Sequence, residues 1–62
     1  MLLDSFVDVD LVEGTTDLSG YPVYVVIDNK PRKAKSYFFN GETGYQDAQR
    51  KFNDLVIPRV HS

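Results

Sequence analysis

Three stretches of this chain have the hydrophobic and polar pattern of β-strands. Residues 6–12 alternate between apolar residues and aspartates, which predicts a half-buried strand with Asp8 and Asp10 on its polar face. The apolar face holds Val7, Val9 and Leu11. The glycine-bounded cluster at residues 14–20 then predicts a turn.

The second stretch, residues 21–28, is rich in β-branched and aromatic residues and is apolar on both faces. One face holds Tyr21, Val23, Val25 and Ile27, and the other holds Tyr24 and Val26. We therefore expect a central strand that is covered on at least part of both faces. Pro22 lacks a backbone donor, which predicts a place at the first position of the strand or beside an unpaired edge.

The third stretch, residues 33–39, follows a turn rich in Asp, Asn and Pro. Alternation divides its side chains into two faces. Ala34, Ser36 and Phe38 share one face, and Lys33, Lys35, Tyr37 and Phe39 share the other.

Residues 45–56 have the periodicity of an amphipathic helix. Their apolar side chains fall within an arc of about 100°, the width of a core-facing stripe. The stripe consists of Tyr45, Ala48, Phe52, Leu55 and Val56. Thr43 with Gln46 matches a capping box, with Asn40 as an alternative N-cap. Pro58 predicts the helix end, because it forces the preceding residue out of helical geometry.

Together these elements predict one small α+β domain over residues 1–62. Its architecture is a three-stranded antiparallel β-meander followed by one C-terminal α-helix packed on one face (β-β-β-α). A chain of this length buries a small core, typically worth about 3–5 kcal/mol. It contains no cysteine for disulfides or thiolate metal sites, so oligomerisation is the remaining route to extra burial.

One helix covers only one face of a sheet, so the pattern predicts an exposed apolar patch on the other. We expect Tyr24, Val26, Tyr37 and Phe39 to form this patch and, with Lys33 and Lys35, to bind a protein partner. A two-fold homodimer is expected to cover the same surface, face to face or by pairing of a strand edge. The alternative is that residues 1–6 fold back over the patch.

Charge is distributed unevenly along the chain. Residues 1–20 hold five acidic residues and no Lys or Arg, whereas residues 30–35 hold four basic residues, and the net charge is −2. The basic residues are Lys30, Arg32, Lys33 and Lys35. With the aromatic residues that follow, this segment favours nucleic-acid binding as the alternative function.

Residues 21–56 resemble, in their β-β-β-α order, the AP2/ERF and integrase-arm DNA-binding domains. That resemblance implies a three-stranded sheet that enters the major groove. The chain lacks the arginine- and tryptophan-rich strand positions with which that family reads bases, and the acidic first strand region opposes a phosphate backbone.

The sequence gives little support for a catalytic site or a metal site. The serines lack a dedicated base, because the one histidine, His61, lies next to the C-terminus. The acidic residues Asp8, Asp10 and Glu13 lack the glycine and the distal glutamate of a calcium loop. The sequence therefore predicts a non-enzymatic protein with no cofactor and no metal.

The apolar run at residues 23–27 is too short to span a bilayer, and the first residues carry acids instead of a basic leader. We therefore expect a cytoplasmic protein with no membrane partner.

The segment Tyr37-Phe38-Phe39-Asn40-Gly41, followed by Asp47-Ala48 and Asn53-Asp54-Leu55, resembles the ends of small bacteriophage proteins. That resemblance implies an accessory protein of the host cytoplasm that binds a host protein and modulates or inhibits it.

Overall fold

A computed structural model describes residues 1–60 of this chain, and it has an α+β fold. The four strands are β1 (Leu2–Phe6), β2 (Val9–Thr16), β3 (Pro22–Asp28) and β4 (Lys35–Phe39). They form one antiparallel sheet in the order β1-β2-β3-β4, and helix α1 (Gly44–Val60) follows. The predicted meander with one C-terminal helix is confirmed, but the prediction of three strands was wrong.

The missed element is β1, which pairs with β2 through a tight turn at Val7 and Asp8. Phe6 lies opposite Val9, so only these two residues connect the strands. Val7 has a positive φ of 56° and is 78% exposed. A β-branched residue rarely adopts this backbone region, and the usual Asn-Gly or Asp-Gly turn signal is missing. The expected strand over residues 6–12 and the inward position of Val7 were therefore wrong, and residues 1–6 pair within the sheet.

The hydrophobic core lies between α1 and one face of the sheet. Its buried members are Val9, Leu11, Val26, Ala48 and Phe52. The helix contacts β2, β3 and β4, so it lies over the middle of the sheet. Leu55 and Val56 pack at its margin, while Tyr45 is 49% exposed and meets Tyr24 edge-on at 5.4 Å between ring centroids. The predicted helix stripe is confirmed, with Tyr45 at its exposed border.

Helix α1 begins where the capping pattern places it. Thr43 directly precedes the first helical residue, and its hydroxyl donates to the Asp47 carboxylate at 3.0 Å. Asp47 lies in the first turn, where a negative charge is favourable to the helix dipole.

The predicted end of α1 was wrong, because Pro58 lies inside the helix and the helix continues to Val60. Pro58 lacks the backbone N–H that would donate a hydrogen bond within the helix, but the side chain of Arg59 stabilises the last turn. Its guanidinium donates to the Leu55 carbonyl oxygen at 2.5 Å and to the carboxylates of Asp8 and Asp28. These bonds oppose fraying at the helix end. Of the tail predicted after Pro58, His61 and Ser62 lie outside the described residues.

Candidate functional site

The face of the sheet opposite α1 carries an apolar row across all four strands. Cross-strand partners share a face, and the row runs through Leu2, Val12, Val25 and Phe38. Val23 and Ile27 lie on either side of Val25 along β3, on the same face. We call these six residues the open face.

Exposure on the open face is highest at its two ends. Phe38 is 70% exposed and Leu2 is 58% exposed, while the valines between them are half-buried by their neighbours. Asp10 lies next to Ile27 on this face and accepts a hydrogen bond from the Asn29 side chain at 3.2 Å. The row itself is uncharged, so it suits an apolar ligand surface.

The predicted binding residues lie on the other face of the sheet. Val26 is fully buried in the core, and Tyr24, Tyr37 and Phe39 pack against it under α1. The prediction that these four residues form the uncovered patch was therefore wrong. Alternation correctly divided the strands into two faces, but β3 is apolar on both, so its pattern did not indicate which face the helix covers.

One signal in the sequence does distinguish the two faces. Asp28 shares its face of β3 with Tyr24 and Val26, and it is 4% exposed. A buried carboxylate needs a charged or hydrogen-bonding partner, and Arg59 on α1 provides one. Val12, Val25 and Phe38 were not predicted as site residues, because the pairing of Asp28 with Arg59 joins residues that are far apart in the sequence.

The basic residues predicted to bind nucleic acid lie together between β3 and β4. Lys30, Arg32 and Lys33 belong to the exposed loop, and Lys35 begins β4 opposite Asp28. Lys30 Nζ lies 3.9 Å from an Asp28 carboxylate oxygen. The loop and the first residue of β4 thus bring four cations together, but carboxylates lie at the base of the loop.

Arg59 links three separate parts of the fold at that base. It forms ion pairs with Asp8 in the β1–β2 turn and, at 2.7 Å, with Asp28 at the end of β3. The hydrogen bond from Arg59 is the main cause of a lowered pKa at Asp8. The same hydrogen bond raises the pKa of Arg59 above its ordinary value. Both groups are therefore charged at neutral pH, and we assign this cluster to stability.

Asp17 has a comparable structural role in the β2–β3 loop. Its carboxylate accepts hydrogen bonds from the Ser19 hydroxyl at 2.5 Å and from the Asn40 amide at 3.0 Å. These bonds, the one from Ser19 first, lower the pKa of Asp17. The loop is thereby tied to the end of β4.

A shallow groove of about 240 Å³ separates the outer edge of β4 from α1. It is lined by Phe39, Asp47, Arg50, Lys51 and Asp54. Lys51 Nζ lies 4.3 Å from the centre of the Tyr37 ring, a cation–π distance. We call this feature the β4–α1 groove.

Within residues 1–60, no group of three or more His, Cys, Asp and Glu side chains is arranged to hold a metal ion. No helix in this part of the chain has the length and apolar character needed to cross a membrane. Comparisons with protein families, with characterised proteins and with solved structures gave no match.

Proposed function

We propose that this chain is a non-enzymatic interaction module that binds a protein partner on the open face. The observation that carries the proposal is the uncharged row from Leu2 to Phe38, exposed on the side of the sheet away from α1. Large apolar surfaces on small proteins commonly mark binding sites.

The dimensions of the open face support this function. The four strands are five, eight, seven and five residues long, and at a spacing of about 4.8 Å they give a sheet face on the order of 400 Å². That area lies within the range of the largest apolar patches on monomeric proteins, about 300–600 Å², which are often functional. The matching surface on the partner would be apolar, with polar groups at the rim near Asp10.

The resemblance to small phage proteins extends the proposal to the kind of partner. In this extension the partner is a host protein, and one copy of the chain modulates it by occupying an apolar surface. Such action needs only tight, stoichiometric binding and no reacting groups.

The test compares Phe38→Ser with Tyr45→Ser in capture from a host lysate. Both changes remove an exposed aromatic ring, but Tyr45 lies on α1, on the opposite side of the molecule. We expect the wild type and Tyr45→Ser to retain one protein, which then binds the purified chain at one-to-one stoichiometry. Loss of the most exposed aromatic anchor of the open face should weaken that binding by about thirtyfold or more in Phe38→Ser.

Two results would contradict the proposal. One is a captured protein whose binding is insensitive to Phe38→Ser and to Leu2→Ser, both at the exposed ends of the row. The other is salt-sensitive retention of DNA or RNA that Lys33→Glu and Lys35→Glu abolish, which would indicate the basic loop instead.

A further inference from the structure

The two edges of the sheet differ in how they are protected against pairing. The β1 edge is interrupted by a register shift between Leu2 and Asp4, and it carries a charged residue at Asp4. Bulges and charges are typical devices that prevent edge pairing. Strand β4 is paired regularly with β3 over all its residues, contains neither proline nor a bulge, and carries its one charge, Lys35, at its first residue. The outer edge of β4 is therefore suited to receive another strand.

We infer that a second copy of this chain occupies the β4 edge in a two-fold, antiparallel pairing centred on Tyr37. This register sets Lys35 opposite Phe39 of the second copy, Ser36 opposite Phe38, and Tyr37 opposite itself. An isologous contact of this kind closes after two copies. Both helices then lie on the same side of one eight-stranded sheet.

Side-chain size is complementary in this register. On the open face, the large Phe38 ring meets the small Ser36 of the second copy, and both residues are exposed in the single chain. Directly opposite side chains in a sheet lie about 4.5–5.5 Å apart, so a large residue beside a small one fits without a clash.

On the helix side, one charge pair is complementary, between Lys35 of one copy and Asp47 of the other, in a groove that also holds Arg50, Lys51 and Asp54. A Cβ added to Gly44 would lie 3.5 Å from the Phe39 carbonyl carbon, so the start of α1 lies beside the end of β4. Lys51 lies over Tyr37, about two turns beyond the start of the helix and one turn beyond Asp47. The exposed Asp47 carboxylate therefore lines the β4–α1 groove near Phe39. Lys35 of the second copy enters the groove at that end.

The two helices leave room for each other in this arrangement. Helix α1 lies over β3, and the two β3 strands would be three strand spacings apart, about 14 Å. Packed helices approach to about 8–10 Å, so side chains such as Lys35 fit between the two. Apart from the contact between Phe38 and Ser36 at its border, the open face stays free, because the pairing is formed by the backbone of β4. Because paired five-residue strands form a small interface, we expect reversible association at high micromolar concentration.

Sedimentation equilibrium over a range of concentrations, combined with a charge swap, tests this dimer. We expect the wild type to show reversible monomer–dimer association. Lys35→Glu and Asp47→Lys should each weaken it by about tenfold, because attraction becomes repulsion, and the double variant should restore it. Lys33→Glu makes the same charge change in the loop outside β4 and should have no effect.

A wild type that remains monomeric up to millimolar concentration would overturn the inference. So would a double variant that stays as weak as the single ones while far-UV circular dichroism shows all variants folded. If Asp47→Lys unfolds the helix start, amide hydrogen exchange of the wild-type protein tests the pairing in place of the charge swap. Exchange at residues 36–38 should slow with rising protein concentration, and unchanged rates would count against the pairing.

Discussion

Replacing Phe52 by alanine is expected to unfold this protein. Phe52 is 4% exposed and belongs to the buried cluster between α1 and the sheet. Truncating a buried phenylalanine costs about 3–5 kcal/mol, through lost burial and the cavity left behind. A domain of this size without disulfides has a total stability of about 3–5 kcal/mol. The variant is therefore left with a free energy of unfolding near zero.

The matched control is Phe38→Ala, which makes the same change on the open face. Phe38 is 70% exposed, so its truncation should alter the free energy of unfolding by less than about 1 kcal/mol. Urea titrations followed by far-UV circular dichroism would compare the variants at low micromolar concentration. A Phe52→Ala protein as stable as Phe38→Ala would refute the packing of α1 on this face.

Three further predictions concern the backbone and the charges. Val7→Asn should raise the free energy of unfolding by about 1 kcal/mol, because asparagine tolerates the positive φ at this exposed turn position. Gly44→Ala should stabilise the fold by up to about 1 kcal/mol, since the added Cβ would make ordinary contacts at 3.5 Å. Gly41→Ala should destabilise the fold by about 1–2 kcal/mol, because Gly41 has a φ of 84°. Asp8→Asn should remove the part of the acid sensitivity that arises from the lowered pKa of Asp8.

The sign of the Asp8 effect follows from the direction of its pKa shift. Because the folded protein holds this pKa below its ordinary value of 3.8, the carboxylate stabilises the fold at pH values above that. The contribution is lost as the pH falls from about 4 through the lowered pKa. In urea titrations at several pH values, the wild type and Asp8→Asn should therefore differ most near neutrality and converge in acid. A constant difference would contradict the link to Arg59.

For the backbone variants, an unchanged Val7→Asn or a stabilised Gly41→Ala would contradict the φ values.

The helix, the central strand and the turn before β4 were predictable because each rests on a local pattern. The stripe around Phe52 has the helical period, and β3 begins at Pro22 as expected for a residue without a donor. The start of α1 was similarly indicated by Thr43. These features are determined by residues that are close together in the sequence, so local patterns are enough to predict them.

Strand β1, the end of α1 and the choice of sheet face depend on contacts between distant residues. The turn at Val7 and Asp8 has a valine at its positive-φ position and lacks glycine, so alternation appeared to continue through it. Arg59 extends the helix past Pro58 by reaching Asp8 and Asp28, which are far away in the sequence. The same contacts help to determine which face α1 covers. Because the wrong face was predicted to be uncovered, the predicted patch lay on the wrong side of the sheet.

The most direct measurement is nuclear magnetic resonance of the dilute protein with a soluble paramagnetic agent. The agent broadens signals of side chains that solvent reaches. We expect strong broadening at Leu2 and Phe38 at the exposed ends of the open face, weaker broadening at the half-buried Val25, and protection at Val26 and Phe52 in the core. Protection of Phe38 and Val25 together with broadening at Tyr37 and Phe39 would contradict the assignment of the open face and the binding function proposed for it.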